Sequence, residues 1–176
     1  MRLNLGCGTD ILPGYINLDI APLQGVDVVH DLNNMPLPFA DCIFDEIIAF
    51  DVIKHIQFTQ IMQEIYRIMT PGATLRIRIP HFTSAINYVD PTHKNHFSVQ
   101  TFDFFQSCQT GRSYYFAYHF SRSLSRKITF MKGLLYFYNY PIEKLVNLSY
   151  KVQKYYEFTG LSRIFPAMNI ELTLVK

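Results

Sequence analysis

The apolar positions of the first 80 residues form short strand-like runs and one longer helical pattern. The strand-like runs predict strands at residues 2–5, 15–19, 26–31, 44–50 and 74–79. Residues 59–69 differ, because their apolar side chains recur three and four positions apart, which predicts a helix that Thr59 can cap and that Pro71 and Gly72 end. Further along, the pattern predicts a second helix over 98–107 and a closing strand over 170–175.

The order of these elements predicts how they assemble. Strands alternate with loops or helices over residues 1–80, which favours a mostly parallel α/β sheet. Ligands of such sheets bind outside the carboxyl ends of the strands. The residues at those ends are Gly6, Gly8, Asp19, Asp31, Phe50, Asp51, Pro80 and His81. We therefore expect them to lie along one edge of the sheet and to line a ligand site.

The turn after the first strand has the composition of a ligand-binding turn. Residues 6–8 read Gly-Cys-Gly, so little side chain stands between their N–H groups and a ligand. Asp19 ends the next strand, where a carboxylate can accept hydrogen bonds from both hydroxyls of a ribose. Asp10 replaces the third glycine of a dinucleotide fingerprint, and the Pro-Gly pair at 13–14 interrupts any helix that could hold a pyrophosphate. The sequence indicates a nucleoside cofactor without phosphates; the alternative is an ordinary turn between strands.

Composition favours one globular domain in a reducing compartment. The chain has 176 residues, of which 49% are hydrophobic and 17% charged, enough for a sizeable core. Cys7, Cys42 and Cys108 form no CxxC pair, so neither a disulfide framework nor a cysteine zinc site is indicated, and Cys7 is interpreted as a packing residue. No signal pattern precedes the first strand, and no apolar run approaches the roughly 20 residues of a membrane span. We therefore expect a cytoplasmic protein.

The charge of the chain changes sign near residue 111. Residues 1–111 carry 6 Lys and Arg against 11 Asp and Glu, whereas residues 112–176 carry 10 against 3 and most of the tyrosines. An apolar stripe at helical spacing lies in the second part: Leu145, Leu148, Val152 and Tyr155. Three interpretations remain open: a lid over the ligand site, peripheral contact of residues 112–156 with an anionic membrane, or a nucleic-acid contact, which is disfavoured because no RNA-binding module is recognisable.

Taken together, these motifs resemble class I S-adenosylmethionine-dependent methyltransferases, and they look closest to the small, type-11-like branch associated with bacterial surface-glycan loci. LNLGCG is similar to the family's glycine motif, INLD to its ribose-binding acid, and HDLNNMPLPFADCIFDEIIA to its adenine-pocket and fourth-strand segment. DVIKHI and MQEIYRIMTPGATLRIRIP are similar to its helix, turn and fifth strand, and PHF and DPTHKNHFS to later segments of that branch. The resemblance covers about residues 2–105 and the last strand.

The pattern and the resemblance together imply a Rossmann-like, doubly wound α/β fold. Its sheet is expected to be mostly parallel with an antiparallel closing strand, with an abbreviated first crossover and a basic aromatic helical insertion. We expect a single methyltransferase domain over 1–176, with a cofactor-binding core at 1–111, a lid or insertion at 112–165 and the closing strand at 166–176.

The resemblance also implies S-adenosylmethionine as the cofactor and a set of residues that contact it. Residues 6–8 would pack along its amino-acid and ribose portions, and Phe50 would lie near its methionine arm. The full expected set is Asn4, Leu5, Gly6, Cys7, Gly8, Asp19, Ile20, Asp31, Leu32 and Phe50. Three positions depart from the family: Asn4 replaces an acid, Asp10 a glycine and Lys54 a glutamate.

Candidate catalytic residues follow the fifth strand. Methyl transfer from a sulfonium is an in-line displacement, and an oxygen acceptor of high pKa must also lose a proton to a base. His93 and His81 are the candidate bases, and Asp90 could orient one of them, although each could instead be an ordinary loop residue. A metal site built from these three residues and His96 is conceivable, but no metal is expected.

We therefore expect an enzyme that transfers a methyl group from S-adenosylmethionine to a small-molecule, sugar or lipid-linked glycan acceptor by O-methylation. The enzyme would be cytoplasmic, with peripheral contact to the inner membrane face as an open possibility. The alternative is a catalytically degenerate methyltransferase fold that binds a nucleoside or a protein partner, which Asp10 and Lys54 keep open.

Overall fold

The computed structural model describes residues 1–106 and 113–176, which build a seven-stranded sheet with helices. The strands are β1 (Arg2–Leu5), β2 (Ile16–Asp19), β3 (Val28–Val29), β4 (Phe44–Phe50), β5 (Met69–Pro80), β6 (Arg122–Thr129) and β7 (Asn169–Val175). Their order is β3-β2-β1-β4-β5-β7-β6; neighbours from β3 to β5 are parallel, whereas β7 is antiparallel to both β5 and β6. This arrangement confirms the expected fold class.

The helices are fewer than the strands require for a fully wound sheet. Those in the described part of the chain are α1 (Phe58–Ile68), α2 (Ile86–Val89), α3 (Asn139–Val146), α4 (Tyr150–Phe158) and α5 (Leu161–Ile164). Residues 6–15 join β1 to β2 without a helix, which confirms the abbreviated first crossover. The loop after β1 therefore lies directly on the sheet edge, where a ligand can reach it.

The helix α1 matches the predicted helix to within one residue at each end. Its side chains Ile61, Met62, Ile65 and Ile68 are fully buried against the sheet. The expected cap is wrong, because Thr59 lies inside the first turn and Gln57 occupies the N-cap without a side-chain bond. The second predicted helix is a 3-10 turn at Thr101–Phe105, and its end at residue 107 lies outside the described residues.

The two faces of the sheet have different chemistry. Leu75, Ile77 and Ile79 of β5 are buried in the core that α1 covers. Arg76 points to the other face, where its guanidinium lies 3.7 Å from a carboxylate oxygen of Glu46 on β4. Residues paired across neighbouring strands point to the same face of a sheet, and Thr173 of β7 is paired with both Arg76 of β5 and Ser125 of β6. On this face the Ser125 hydroxyl donates to Thr173 Oγ1 at 2.9 Å. Alternation along β5 thus separates a packed face from a polar one.

The strand β6 was not predicted, and polar side chains attach the following helices to it. Asn147 stands between α3 and α4; its Oδ1 accepts from the Ile128 N–H at 2.8 Å and its Nδ2 donates to the Ile128 carbonyl at 2.7 Å. Gln153 Nε2 donates to the Arg126 carbonyl at 3.0 Å. These bonds satisfy the outer edge of β6, which has no further strand beside it among the described residues.

The predicted apolar stripe of this segment does not pack inward. Leu145, Leu148 and Tyr155 are exposed, whereas Val146 and Tyr156 are buried. The side chains have helical spacing, but the helix is interrupted at residues 147–149, between α3 and α4. One continuous apolar stripe therefore cannot face the sheet. The segment therefore presents large apolar side chains to the exterior.

Candidate functional site

The glycine turn after β1 is fixed against two neighbouring strands. The N–H groups of Gly6 and Cys7 both donate to the Leu18 carbonyl of β2, at 2.8 and 3.0 Å. Gly6 has φ +66°, and a Cβ added there would lie 2.3 Å from Cγ2 of Val52 beyond β4. Only glycine meets both conditions, because the backbone is left-handed and the neighbour leaves no space.

Asp19, at the end of β2, is held with both carboxylate oxygens oriented. Its Oδ2 accepts from the Gly8 N–H at 2.8 Å, and its Oδ1 accepts from the Ala21 N–H at 3.0 Å. Each carboxylate oxygen can accept a second hydrogen bond. The side chain is therefore pre-oriented, with one acceptor position per oxygen left for two hydroxyl donors.

Two clefts meet at Gly6. The first, of about 330 Å³, is lined by Gly6, Asp19, Ile20, Asp31, Leu32, Asn33, Asp51, Val52, His55 and Ile56. The second, of about 410 Å³, is lined by Asn4, Gly6, Cys7, Thr9, Asp10, Ile11, Leu12, Phe50 and Arg78. The structure thus brings together most of the expected cofactor set. Leu5 lies in the core behind the turn, and Gly8 contributes through its bond to Asp19.

Asn4 has a structural role that the acid common at this position could not fill. Its buried Nδ2 donates to the Asp10 carbonyl at 2.8 Å and to Asn17 Oδ1 at 3.0 Å. The same Asn17 oxygen accepts from the Leu12 N–H at 2.9 Å. An ionised carboxylate accepts only, so it could donate neither bond. Asn4 therefore ties down the loop that replaces the first crossover helix.

The charged residues at the end of β4 are paired with one another. Asp51 has φ +59°, and its Oδ2 accepts from Arg78 Nε at 2.7 Å. Lys54 stands where the resemblance expects a glutamate, and its Nζ lies 3.9 Å from Asp51 Oδ1. The lysine is therefore paired with an acid. The Arg78 guanidinium also stacks 4.9 Å from the centre of the Phe50 ring. This cation lines the second cleft, where Asn4 contributes no charge.

The candidate catalytic histidines occupy different environments. His81 is fully buried; its Nε2 lies 3.0 Å from Glu157 Oε1 of α4 and its Nδ1 2.7 Å from Thr83 Oγ1. Glu157 Oε1 also accepts from the Val99 N–H at 2.7 Å. These bonds join the end of β5 to α4 and engage both ring nitrogens of His81.

His93 and Asp90 instead lie together beside a residue that sequence reasoning missed. His93 Nε2 is 3.6 Å from Asp90 Oδ2, and its ring lies edge-on to the His55 ring with 4.7 Å between centres. Burial, followed by the charges of Lys54 and His93, lowers the pKa of His55, which favours its neutral form. His96 stacks near Tyr88 instead, with 5.7 Å between ring centres. His55 lies in the turn that follows the carboxyl end of β4, and this position in the sequence could have marked it as a candidate site residue.

The order and directions of the seven strands define a Rossmann-like methyltransferase fold. Residues 3–77 match the family model described as "Methyltransferase domain". This match covers less than half of the chain; together with the fold it makes the chain similar to S-adenosylmethionine-dependent methyltransferases, for which S-adenosylmethionine is the expected cofactor.

Solved structures of methyltransferases share the fold. An S-adenosylmethionine-dependent methyltransferase from Archaeoglobus fulgidus superposes with a TM-score of 0.63 at 18% identity, covering 99% of this chain and 85% of that one. One from Mesorhizobium loti gives 0.57 at 12% identity, covering 99% and 90%. A methyltransferase from Haloferax volcanii, in complex with the Trm112 methyltransferase activator, gives 0.58 at 13% identity, covering 99% and 81%. No curated protein sequence matches the chain.

None of the helices in the described residues has the length and apolar character needed to cross a membrane.

Proposed function

We propose that the protein transfers the methyl group of S-adenosylmethionine to an oxygen of a small-molecule, sugar or lipid-linked glycan acceptor. The observation that carries the proposal is the orientation of Asp19 by the Gly8 and Ala21 amides in the first cleft, which meets the second at Gly6. A ribose there would donate one hydroxyl to each carboxylate oxygen.

In this proposal, the two clefts hold different parts of the cofactor. The adenine would lie in the first cleft between the aliphatic side chains of Ile20 and Leu32, with Asp31 at its edge. The methionine arm would lie in the second cleft beside Phe50, where the Arg78 guanidinium can pair with its carboxylate. The neutral Asn4 then leaves the ammonium without a fixed negative partner at that position.

Acceptor deprotonation would fall to the cluster formed by His55, Asp90 and His93. His55 lines the first cleft, and the other two residues lie against it. His81 Nε2 faces the Glu157 carboxylate and carries the ring proton, and its Nδ1 accepts from the Thr83 N–H at 3.2 Å. His81 would have to leave Thr83 before it could accept a proton, so we place the base in the cluster.

The exterior of residues 131–158, named here the 131–158 surface, supports a lipid-linked acceptor at an anionic membrane. Leu134, Leu135 and Phe137 are 91%, 82% and 70% exposed. The surface also carries Lys144 and Lys151, both exposed. Apolar side chains beside lysines match the chemistry of a membrane interface with anionic headgroups.

The ribose assignment is tested by titrating the protein with S-adenosylhomocysteine in a calorimeter. Asp19→Ala should weaken binding by about 1.5–3 kcal/mol, because a charged acceptor of hydrogen bonds is lost. Asp45→Ala is the matched control, since Asp45 is an exposed acid paired with the N-terminus. Thermal unfolding of both variants establishes that they are folded. Unchanged affinity in folded Asp19→Ala protein would show that the ribose lies elsewhere.

A further inference from the structure

Three side chains beside the first cleft have the composition of a metal site. We infer that His55, Asp90 and His93 bind a divalent cation of the zinc class. The ligand atoms that they offer, two imidazole nitrogens and one carboxylate oxygen, all lie within 4.8 Å of one another. This set differs from the one conceivable from sequence, because His55 takes the place of His81 and His96.

His93 supplies an independent observation that points to a ligand. Its side chain is only 1% exposed, yet neither Nδ1 nor Nε2 has a hydrogen-bond partner among the described residues. The Asp90 oxygen at 3.6 Å is beyond hydrogen-bonding distance. An imidazole buried without a partner costs free energy, and a bound cation would lower that cost by accepting the lone pair of one ring nitrogen.

Thr92 arranges the other two side chains as ligands. Its hydroxyl donates to Asp90 Oδ1 at 2.6 Å, and its N–H donates to the same oxygen at 2.9 Å. The hydroxyl has one proton, so at 2.8 Å from His55 Nδ1 it must accept from that nitrogen. His55 is thereby held as the tautomer with a lone pair on Nε2, and Asp90 keeps Oδ2 for a ligand. Metal-binding histidines are oriented in this way by their second nitrogen.

The fold itself holds these residues near one another. The Lys94 N–H donates to the Lys54 carbonyl at 2.8 Å, and Asn95 Nδ2 donates to the Ile56 carbonyl at 2.8 Å. The loop after α2 is thus attached, by one main-chain and one side-chain donor, to the carbonyls of the 3-10 turn that carries His55 and of the residue after it. Side-chain closure on the order of 1 Å would bring the ligand atoms to the spacing that zinc bonds of about 2.0–2.2 Å require.

Two nitrogens and one carboxylate oxygen suit zinc, and three protein ligands leave a fourth position for water or a ligand oxygen. Since His55 lines the first cleft, the cation would join the loop after α2 to the wall of that cleft. A bound cation would take the imidazole lone pairs that the proposed function assigns to acceptor deprotonation, so metal binding and the base role are alternative uses of this cluster. The inference concerns binding alone and does not depend on the acceptor or on turnover.

The test uses tag-free, chelator-treated protein titrated with Co²⁺, whose visible absorption reports tetrahedral coordination, followed by displacement with Zn²⁺. Wild-type protein should bind one equivalent. His93→Ala should weaken binding by more than about 100-fold, and Thr92→Val, which alters only the positioning residue, by about 10- to 100-fold. His96→Ala should bind as wild type, because His96 lies outside the cluster.

Asp90→Asn provides a second ligand variant at a partly exposed position, so a folding defect in His93→Ala would not leave the question open. Both variants are checked by thermal unfolding. The inference is overturned if wild-type protein binds no Co²⁺, or if folded Asp90→Asn and His93→Ala bind it as tightly as His96→Ala does. Binding of S-adenosylhomocysteine, measured with and without metal, reports separately on the cofactor site.

Discussion

At the scale of single residues, the two glycines of the turn after β1 look alike in sequence but meet different surroundings. Both have left-handed backbones, with φ +66° at Gly6 and +50° at Gly8. An added Cβ would lie 2.3 Å from Val52 at Gly6, whereas it would meet nothing within 4 Å at Gly8. Backbone conformation therefore requires glycine at both positions, but packing requires it only at Gly6.

Substituting these glycines separates the two effects. Gly8→Ala should lower the free energy of unfolding by about 1–2 kcal/mol through backbone strain alone. Gly6→Ala should cost about 1–3 kcal/mol more, because the methyl group overpacks against Val52. Urea unfolding measures both, and Val52→Ala added to Gly6→Ala should recover the extra loss. Equal losses for the two single variants would show that Val52 gives way without cost.

At the scale of elements, α1 holds the segment between β3 and β4 through the charged side chains of Glu64 and Arg67. Arg67 donates to Glu64 from Nε and from a terminal nitrogen, the latter at 2.8 Å. The same guanidinium donates to the Phe39 carbonyl at 2.9 Å, and Glu64 Oε2 accepts from the Leu37 N–H at 2.9 Å. A segment with little regular structure is thereby attached to a well-packed helix.

This network predicts a loss of stability in acid. The hydrogen bond from Arg67, with the smaller contribution of the Leu37 amide, lowers the pKa of Glu64 below its ordinary value of 4.5. The unfolded state takes up the proton first, so the stabilisation is complete above pH 4.5 and is lost as pH falls through the lower folded pKa. Glu64→Gln should cost about 1–3 kcal/mol at pH 7 and progressively less below pH 4.5.

The comparison is made by denaturant unfolding of wild type and Glu64→Gln across this pH range. Glu171→Gln is the matched control, because Glu171 is exposed on the polar face of the sheet. A constant difference between wild type and Glu64→Gln at every pH would contradict the assignment to this carboxylate.

At the scale of the whole molecule, charge and apolar exposure are unevenly distributed. The two clefts lie in the part of the chain with an excess of acidic residues, 1–111, and the 131–158 surface belongs to the basic part. Glu157, bonded to His81 and to the Val99 amide, connects the two parts through buried contacts. If the 131–158 surface binds a membrane, Glu157 would connect that surface to His81 at the end of β5 through a direct hydrogen bond.

Vesicle flotation tests this arrangement. The protein should float with vesicles containing anionic phosphatidylglycerol and much less with phosphatidylcholine alone, and added salt should weaken the binding. Leu135→Ser should lower the partition coefficient about tenfold or more, since burial of a leucine side chain contributes roughly 1.5–3 kcal/mol. Leu23→Ser, an exposed leucine of the acidic part, should have no effect. Equal flotation of wild type and Leu135→Ser would remove the membrane proposal.

Features that depend on residues close together in sequence were predicted well, whereas features that depend on contacts between distant segments were not. The strand β5 and the helix α1 were found because alternation and helical spacing are read within a few residues. The turn at residues 6–8 and Asp19 were found for the same reason. The strand β3 was predicted over six residues but spans only Val28–Val29, since Val29 is exposed and little packing extends it.

By itself, the sequence determined the strands other than β6, where the chain turns on glycine and which acid ends β2, because backbone sterics and side-chain periodicity act locally. Only the tertiary structure decided that His55 joins Asp90 and His93, that Asn147 and Gln153 satisfy the edge of β6, and that Leu145 points outward. Each of these depends on contacts between segments distant in the chain, whose approach is set by the packing of the whole sheet rather than by neighbouring residues.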